Sequence, residues 1–204
     1  MADRSEDVDL LERIRNDEPG AFEQFVARYE EAIYRFGLRV CGEREDARDV
    51  LQETLLKAFR SLKELRHPAA LRSWLYRVAS NACLMRRRKG KFEPAHELSL
   101  DDLAPRETGT PRPEIPDPAS LPDEQLARGE IREMIRAAVE GLPRDHRIVL
   151  VLRDMEHLST REVSEALELP ETTVKMRLHR ARLAVRQRLE AALAAPAPKE
   201  GGRA

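Results

Sequence analysis

Asp46, Asp49, Gln52 and Glu53 fall at i, i+3, i+6 and i+7, so on a helix they share one polar face. Carboxylates at such spacing could serve acid–base or metal chemistry only if a histidine or a second acidic element converged on them. The surrounding sequence offers neither. The chemistry left to that face is docking onto another helical element, because an apolar stripe runs beside it on the same segment. The other candidate residues are cations. Between Glu64 and Glu93 stand Arg66, Arg72, Arg77, Arg86, Arg87, Arg88, Lys89 and Lys91 with no acid among them. A second acid-free run between Glu171 and Glu190 holds Lys175, Arg177, Arg180, Arg182, Arg186 and Arg188. The stretch between them is acidic. Two basic surfaces flanking an acidic connector fit an anionic polymer gripped at two places, although the formal net charge is only −1. Cys41 and Cys83 form no CxxC or other metal spacing and sit among apolar residues, so they read first as buried free thiols, with redox sensing as the second reading. No metal, cofactor or catalytic group is expected.

The elements that position these residues are helical. Charged residues make up 36% of the 204-residue chain and aromatics only 4%, which leaves too little for a large sheet core and favours helices rich in Ala, Leu, Arg and Glu. In a first block, residues 8–90, four helices are predicted. Leu10, Leu11 and Ile14 give the first its apolar face. Phe22, Phe25, Val26, Tyr29, Ile33, Phe36 and Val40 recur at helical spacing in the second. A third spans about 45–65, with Ala47, Val50, Leu51, Leu55, Ala58, Phe59 and Leu62 on one inward stripe. A fourth spans about 70–88, with Leu71, Trp74, Leu75, Val78, Ala79 and Ala82 inward. Residues 91–122 form a proline-containing acidic linker, expected to be extended and flexible. A second helical block occupies 123–193, and 194–204 is an Ala/Pro tail. No apolar run approaches the ~20 residues of a membrane span and no signal peptide opens the chain, so a cytoplasmic location is expected.

The second block carries its own DNA chemistry. Ser159-Thr-Arg-Glu162 is a capping box opening a short helix. That helix ends at Leu169-Pro170, and a long basic helix begins at once. Short helix, tight turn and long basic helix make a helix-turn-helix, which lays its second helix in the major groove. At 100° per residue Val174, Leu178, Ala181, Val185 and Leu189 face inward. Thr172, Met176, His179 and Arg180 point away, flanked by Thr173, Lys175 and Arg177. Hydroxyl, basic and imidazole groups on such a face can hydrogen-bond base edges and phosphates.

Three stretches of this block, Leu142–Arg153, Leu158–Leu167 and Thr173–Arg182, resemble domain 4 of the extracytoplasmic-function (ECF) sigma factors, the minimal two-domain group of the sigma-70 family. The resemblance implies that Thr172, Thr173, Lys175, Met176, Arg177, His179 and Arg180 face the minus-thirty-five promoter element and that Arg153 supports the backbone contact. Met176 stands where the family usually has a small hydroxyl residue. In the first block, Asp46–Arg60 resembles the polymerase-binding helix of domain 2. It implies that Asp46, Asp49, Gln52 and Glu53 meet the clamp helices of the polymerase's largest subunit, with the flap as a further polymerase contact of the chain. Leu71–Cys83 followed by Arg86-Arg-Arg-Lys89 resembles the minus-ten recognition and melting helix. There the implied DNA contacts are Arg66, His67, Arg72, Trp74, Arg77, Asn81, Arg86 and Arg87. Trp74 lies on the apolar stripe and reads first as core, with a stacking platform as its second reading. The chemistry is sound without the resemblance. Opening DNA costs about 1.4 kcal/mol per base-pair step, offset by capturing unstacked bases.

The resemblance therefore implies an all-α protein of two small helical domains on a flexible linker. It would be an alternative sigma factor that is not an enzyme, with core RNA polymerase, promoter DNA and an anti-sigma factor as partners. Taken alone, the second block would also suit an ordinary helix-turn-helix regulator, and the first a polymerase-binding antagonist. It is the order of both that favours the sigma reading. Linker length agrees: promoter elements about 17 base pairs apart are separated by roughly 58 Å. The 32 residues from Lys91 to Pro122 would average about 30 Å end to end as a random coil, yet reach about 105–115 Å when fully extended.

Overall fold

The computed structural model describes residues 4–87 and 124–194, as eight α-helices with no strand among the described residues. The linker expected at 91–122 and the tail at 195–204 lie outside them. In the first half α1 (Arg4–Arg15), α2 (Ala21–Cys41), α3 (Arg44–Ser61) and α4 (Leu71–Arg87) follow one another, with 3₁₀ turns at Leu62–Glu64 and Pro68–Ala70. In the second half come α5 (Glu124–Glu140), α6 (Arg144–Leu150), α7 (Thr160–Leu167) and α8 (Glu171–Ala194).

The central helix α2 is long because nothing between Ala21 and Cys41 breaks it and its apolar residues keep one face. Phe25, Ile33, Phe36 and Val40 are fully buried and Tyr29 nearly so. Gly42 ends it at φ 88°, a left-handed conformation open to glycine, while its N–H donates to the Leu38 carbonyl at 2.9 Å. Against α2 lies α3, whose buried residues are Ala47, Val50, Thr54 and Ala58. These are all small, and that lets the two backbones approach. A Cβ placed on Gly37 would stand only 3.1 Å from the Ala47 Cα. The expected inward stripe of α3 therefore needs one correction. Leu51 and Leu55 are only partly buried and Phe59 is 68% exposed. The close seam admits small side chains, and the bulky ones are displaced to its flank.

In the second half α6 does not stop at Leu150 but loosens into a π-helical turn, Val151–Met155, closed by the Glu156 N–H donating to the Val151 carbonyl at 2.9 Å. That extra residue per turn rotates consecutive side chains to different partners. Asp154 takes a two-pronged ion pair from Arg182 of α8 at 2.6 and 2.9 Å. Arg153 donates to the Leu158 carbonyl, tying down the segment that leads into α7. Glu156 turns toward the first half of the molecule.

The two halves are packed together and share one continuous buried cluster. α4 lies against α7, and α2 against α5 and α6. Glu156 is the polar centre of this seam. Its carboxylate pairs with Arg39 at 2.8 Å and accepts the Tyr76 hydroxyl, while its carbonyl accepts from Arg72 at 2.8 Å. Burial first, and then the adjacent Glu156 charge, hold the Tyr76 phenol well above the ordinary tyrosine range. Beside it the buried Arg147 donates to the Val40 carbonyl of α2 at 3.0 Å and to the Leu142 carbonyl at 2.9 Å, and Arg144 reaches the Cys83 carbonyl at 3.3 Å.

Candidate nucleic-acid and polymerase interfaces

The helix-turn-helix is assembled by α7 and α8. Ser159 accepts from the Glu162 N–H at 3.2 Å and Glu162 accepts from the Ser159 N–H at 2.7 Å, which completes the capping box and fixes where α7 begins. Glu168 ends α7 in the left-handed region at φ 55°. The turn is closed by Leu169 N–H to the Ser164 carbonyl at 3.1 Å and by the Ser164 hydroxyl to the Leu169 carbonyl at 2.5 Å. Val174, Leu178, Ala181 and Ala184 of α8 are buried. The inward face thus passes through Ala184 in its fourth turn, and Val185 and Leu189 are only partly covered.

On the opposite side Thr172, Lys175, Met176 and His179 are exposed, Met176 at 46%. Thr173, Arg177 and Arg180 are half-buried at its borders. Lys175 leans toward Glu171 at 3.8 Å and Arg177 toward Asp145 of α6 at 3.5 Å. These are loose solvent-side pairs that an incoming phosphate could displace. Arg153 is half-buried and is occupied by the Leu158 carbonyl.

The residues expected at the minus-ten element divide into three sets. Arg66 and His67 are exposed on the segment between the two 3₁₀ turns, and Asn81 is exposed on α4. Arg72 and Arg77 are half-buried and turned to the seam. Arg72 bonds the Glu156 carbonyl, and Arg77 stands 3.7 Å from Glu168 at the end of α7. Trp74 is partly buried and packs against the core, while Arg86 and Arg87 lie in the last turn of α4.

On α3, Asp49, Gln52 and Glu53 are exposed and Asp46 is half-buried. Next to them is a feature that the sequence reading assigned to the core. Phe22 and Val26 of α2 with Arg48, Leu51, Gln52, Leu55, Leu56 and Phe59 of α3 line an open groove of about 470 Å³. Phe59 stands edge-on to Phe22 with ring centroids 5.2 Å apart. Gln52 belongs to both the polar face and the groove. The available signal in the sequence was size: along α3 the small residues share one stripe and the large ones lie beside it. The role of Glu156 had no such signal, because it depends on a contact between halves that are far apart in sequence.

Among the described residues, no three His, Cys, Asp or Glu are placed to hold a metal ion, and no helix is long and apolar enough to cross a membrane.

Two stretches match known sequence families: residues 25–93 match Sigma-70 region 2 and residues 132–185 match Sigma-70, region 4. The chain is 30% identical over 193 residues to the RNA polymerase sigma-H factor of Pseudomonas aeruginosa, covering 93% of this chain and 97% of that one. The ECF RNA polymerase sigma-E factor of Escherichia coli K12 matches with the same identity and the same coverage of both chains. Among solved structures, CnrH in complex with the cytosolic domain of CnrY has the same fold, with a TM-score of 0.63 at 23% identity over 93% of this chain and 99% of that one. The sigma factor RpoE of Bartonella quintana, in complex with the anti-sigma factor NepR, gives a TM-score of 0.59 at 21% identity over 84% and 98%.

Proposed function

This chain belongs to the extracytoplasmic-function sigma factors, and from that premise we propose how its residues divide the work of starting transcription. It is an alternative sigma factor: it binds core RNA polymerase and directs promoter-specific initiation. The observation that carries the reading is the order of two helical halves, the second a complete helix-turn-helix whose first exposed turns carry hydroxyl, basic and imidazole groups.

In our reading α8 lies in the major groove of the minus-thirty-five element. Lys175 and Arg177 hold phosphate, Thr172, Thr173, Met176, His179 and Arg180 lie toward the bases, and Arg153 braces the loop behind them. Asn81, with Arg66 and His67 on the neighbouring segment, takes an unstacked base of the minus-ten element. Arg72, Arg77, Arg86 and Arg87 hold the backbone, and Trp74 is core rather than a stacking surface. Asp46, Asp49, Gln52 and Glu53, together with the Phe59 groove, receive the clamp helices of the polymerase's largest subunit, and the second half meets the flap. The protein supplies no catalytic group of its own, because the chemistry of RNA synthesis belongs to the polymerase. It works where polymerase and chromosome are, in the bacterial cytoplasm and on the nucleoid. An anti-sigma factor holds it inactive, a reading supported by the partner-bound state of both solved relatives.

Reconstituted transcription tests this. Core polymerase with the purified chain should initiate from the promoters it serves, and core alone should not. Binding of duplex promoter by the chain without polymerase, with no stimulation of initiation, would favour an ordinary helix-turn-helix regulator instead.

A further inference from the structure

Cys41 of α2 and Cys83 of α4 are 42 residues apart in sequence, yet their sulfurs lie 3.0 Å from one another in the buried core. A buried cysteine ordinarily acts as a small apolar residue and needs no counterpart. Here two of them meet, and their surroundings differ. Cys83 is fully buried within α4, whereas Cys41 is 9% exposed and is the last residue of α2. Gly42 follows it, in a left-handed turn with no side chain to cover the sulfur and open space where a Cβ would stand. The two sulfurs stand about one ångström beyond the ~2.05 Å of a covalent S–S bond. The position is equally particular. Val40, the neighbour of Cys41, presents its carbonyl to Arg147, and Cys83 presents its own to Arg144. The thiol pair lies under the two turns on which the second half is seated.

We propose that Cys41 and Cys83 are an oxidisable dithiol, which a hydroperoxide converts to a disulfide joining α2 to α4 beneath the seam. The Cys41 sulfur, the more accessible of the two, attacks the terminal peroxide oxygen as its thiolate. The O–O bond breaks, and the departing alkoxide takes up the thiol's proton to leave as alcohol. Cys41 becomes a sulfenic acid. The Cys83 sulfur then attacks the Cys41 sulfur, the S–S bond forms, the S–O bond breaks, and hydroxide leaves with the Cys83 proton as water. Two thiols have lost two electrons and two protons, and the peroxide has been reduced to alcohol and water. A reducing cytosol would return the pair to thiols, so the bond is a transient state rather than a permanent staple.

The test uses the full chain and hydrogen peroxide and does not depend on the transcriptional reading. After oxidation, unfolding in denaturant, alkylation and mass analysis, the intact monomer should lose the mass of two hydrogen atoms, and both thiols, which burial no longer shields, should resist alkylation together. A Cys41–Cys83 cross-linked peptide should appear and vanish on reduction. Closing so long a loop should raise the thermal midpoint by about 5–15 °C. Cys83→Ala should stop at the first step, with a sulfenic acid on Cys41 that dimedone traps. Cys41→Ser, should the first variant fold poorly, should leave Cys83 alkylatable after the same peroxide treatment. The proposal fails if Cys83 stays alkylatable in the oxidised parent protein, if Cys41 proceeds to sulfinic acid with no cross-link, or if the product is a disulfide-linked dimer. It fails equally if neither thiol reacts before the methionines do.

Discussion

Lys175 and Arg180 sit on adjacent turns of α8 but meet solvent differently. The first is exposed and loosely paired with Glu171, whereas the second is half-buried at the border of the packed face. A long exposed cation suits a phosphate, and a partly held guanidinium suits a fixed base edge. Lys175→Ala should therefore weaken promoter binding almost uniformly across sequences and reduce the salt dependence by about one phosphate contact. Arg180→Ala should cost roughly 1–3 kcal/mol and relax preference at one position. Gel shifts with holoenzyme on a single-base promoter library separate the two outcomes. If both variants leave the profile unchanged, α8 lies in the groove differently from our reading. Asn81 belongs to the same scale. Its side chain is exposed on α4 while Ser80 beside it is fully buried, so the amide is free of packing duties. Asn81→Ala should slow open-complex formation without changing core binding, as read by permanganate footprinting. A pre-melted promoter should restore most of the rate, since the cost of opening is then removed. A defect already present in core affinity would assign Asn81 to structure.

At the scale of the element, α3 shows what was legible in the sequence and why the rest was not. The helix periods, the capping box at Ser159 and the inward face of α8 over its first three turns depend on neighbours within a few residues, and those were readable. Which side of α3 is core was not, because Phe59 and Leu56 have the hydrophobicity of core residues. Only the approach of Gly37 to Ala47 leaves them outside. An exposed Phe59 beside Leu55 and Leu56 is poorly explained by stability and well explained by docking. Phe59→Ala should cost about 0.5–1.5 kcal/mol of stability through its edge contact with Phe22. It should cost more than that in core binding, about 2 kcal/mol or roughly 30-fold, if the ring is an interface anchor. Reversing Asp49 and Glu53 together should also weaken core binding. Stability should stay nearly unchanged, because exposed substitutions usually shift it by about 0.5 kcal/mol or less. Thermal melts and a fluorescence titration with core enzyme measure both quantities. Normal affinity in folded variants of both kinds would remove this face from the interface.

For the whole molecule, the packed arrangement and the promoter-bound one exclude each other. With α7 lying against α4, the two halves adjoin, whereas the promoter elements that we propose they read are separated by roughly 58 Å of duplex. Binding must therefore separate the halves, and core polymerase must overcome whatever holds the seam. Glu156 is the group to remove. It accepts from Arg39 and Tyr76 through its carboxylate, and Glu156→Ala leaves the phenol buried without its acceptor while keeping the backbone bond from Arg72. Loss of a mostly buried acceptor costs about 1–3 kcal/mol, here nearer the lower end because Arg39 is partly exposed to water. The closed-to-open ratio should fall by about 10-fold. Tyr76 also sets a direction with pH. Its folded pKa is raised, so its contribution to closure is complete below the ordinary tyrosine value of about 10 and is lost as pH rises above it. Small-angle scattering should show a larger radius of gyration for Glu156→Ala at neutral pH. A protein that binds only in its open form has an apparent Kd equal to the intrinsic Kd divided by the open fraction. The variant should therefore bind core polymerase more tightly than the parent, by up to about 10-fold if the parent is mostly closed. A shortened chain gives the opposite result. Deleting about 20 residues between Lys91 and Pro122 leaves a reach of roughly 40 Å, so the halves can no longer span the promoter, and initiation should collapse. If Glu156→Ala expands the molecule yet leaves core affinity unchanged, opening is not what limits binding. If it binds more weakly, the seam residues contribute to the polymerase contact instead of opposing it.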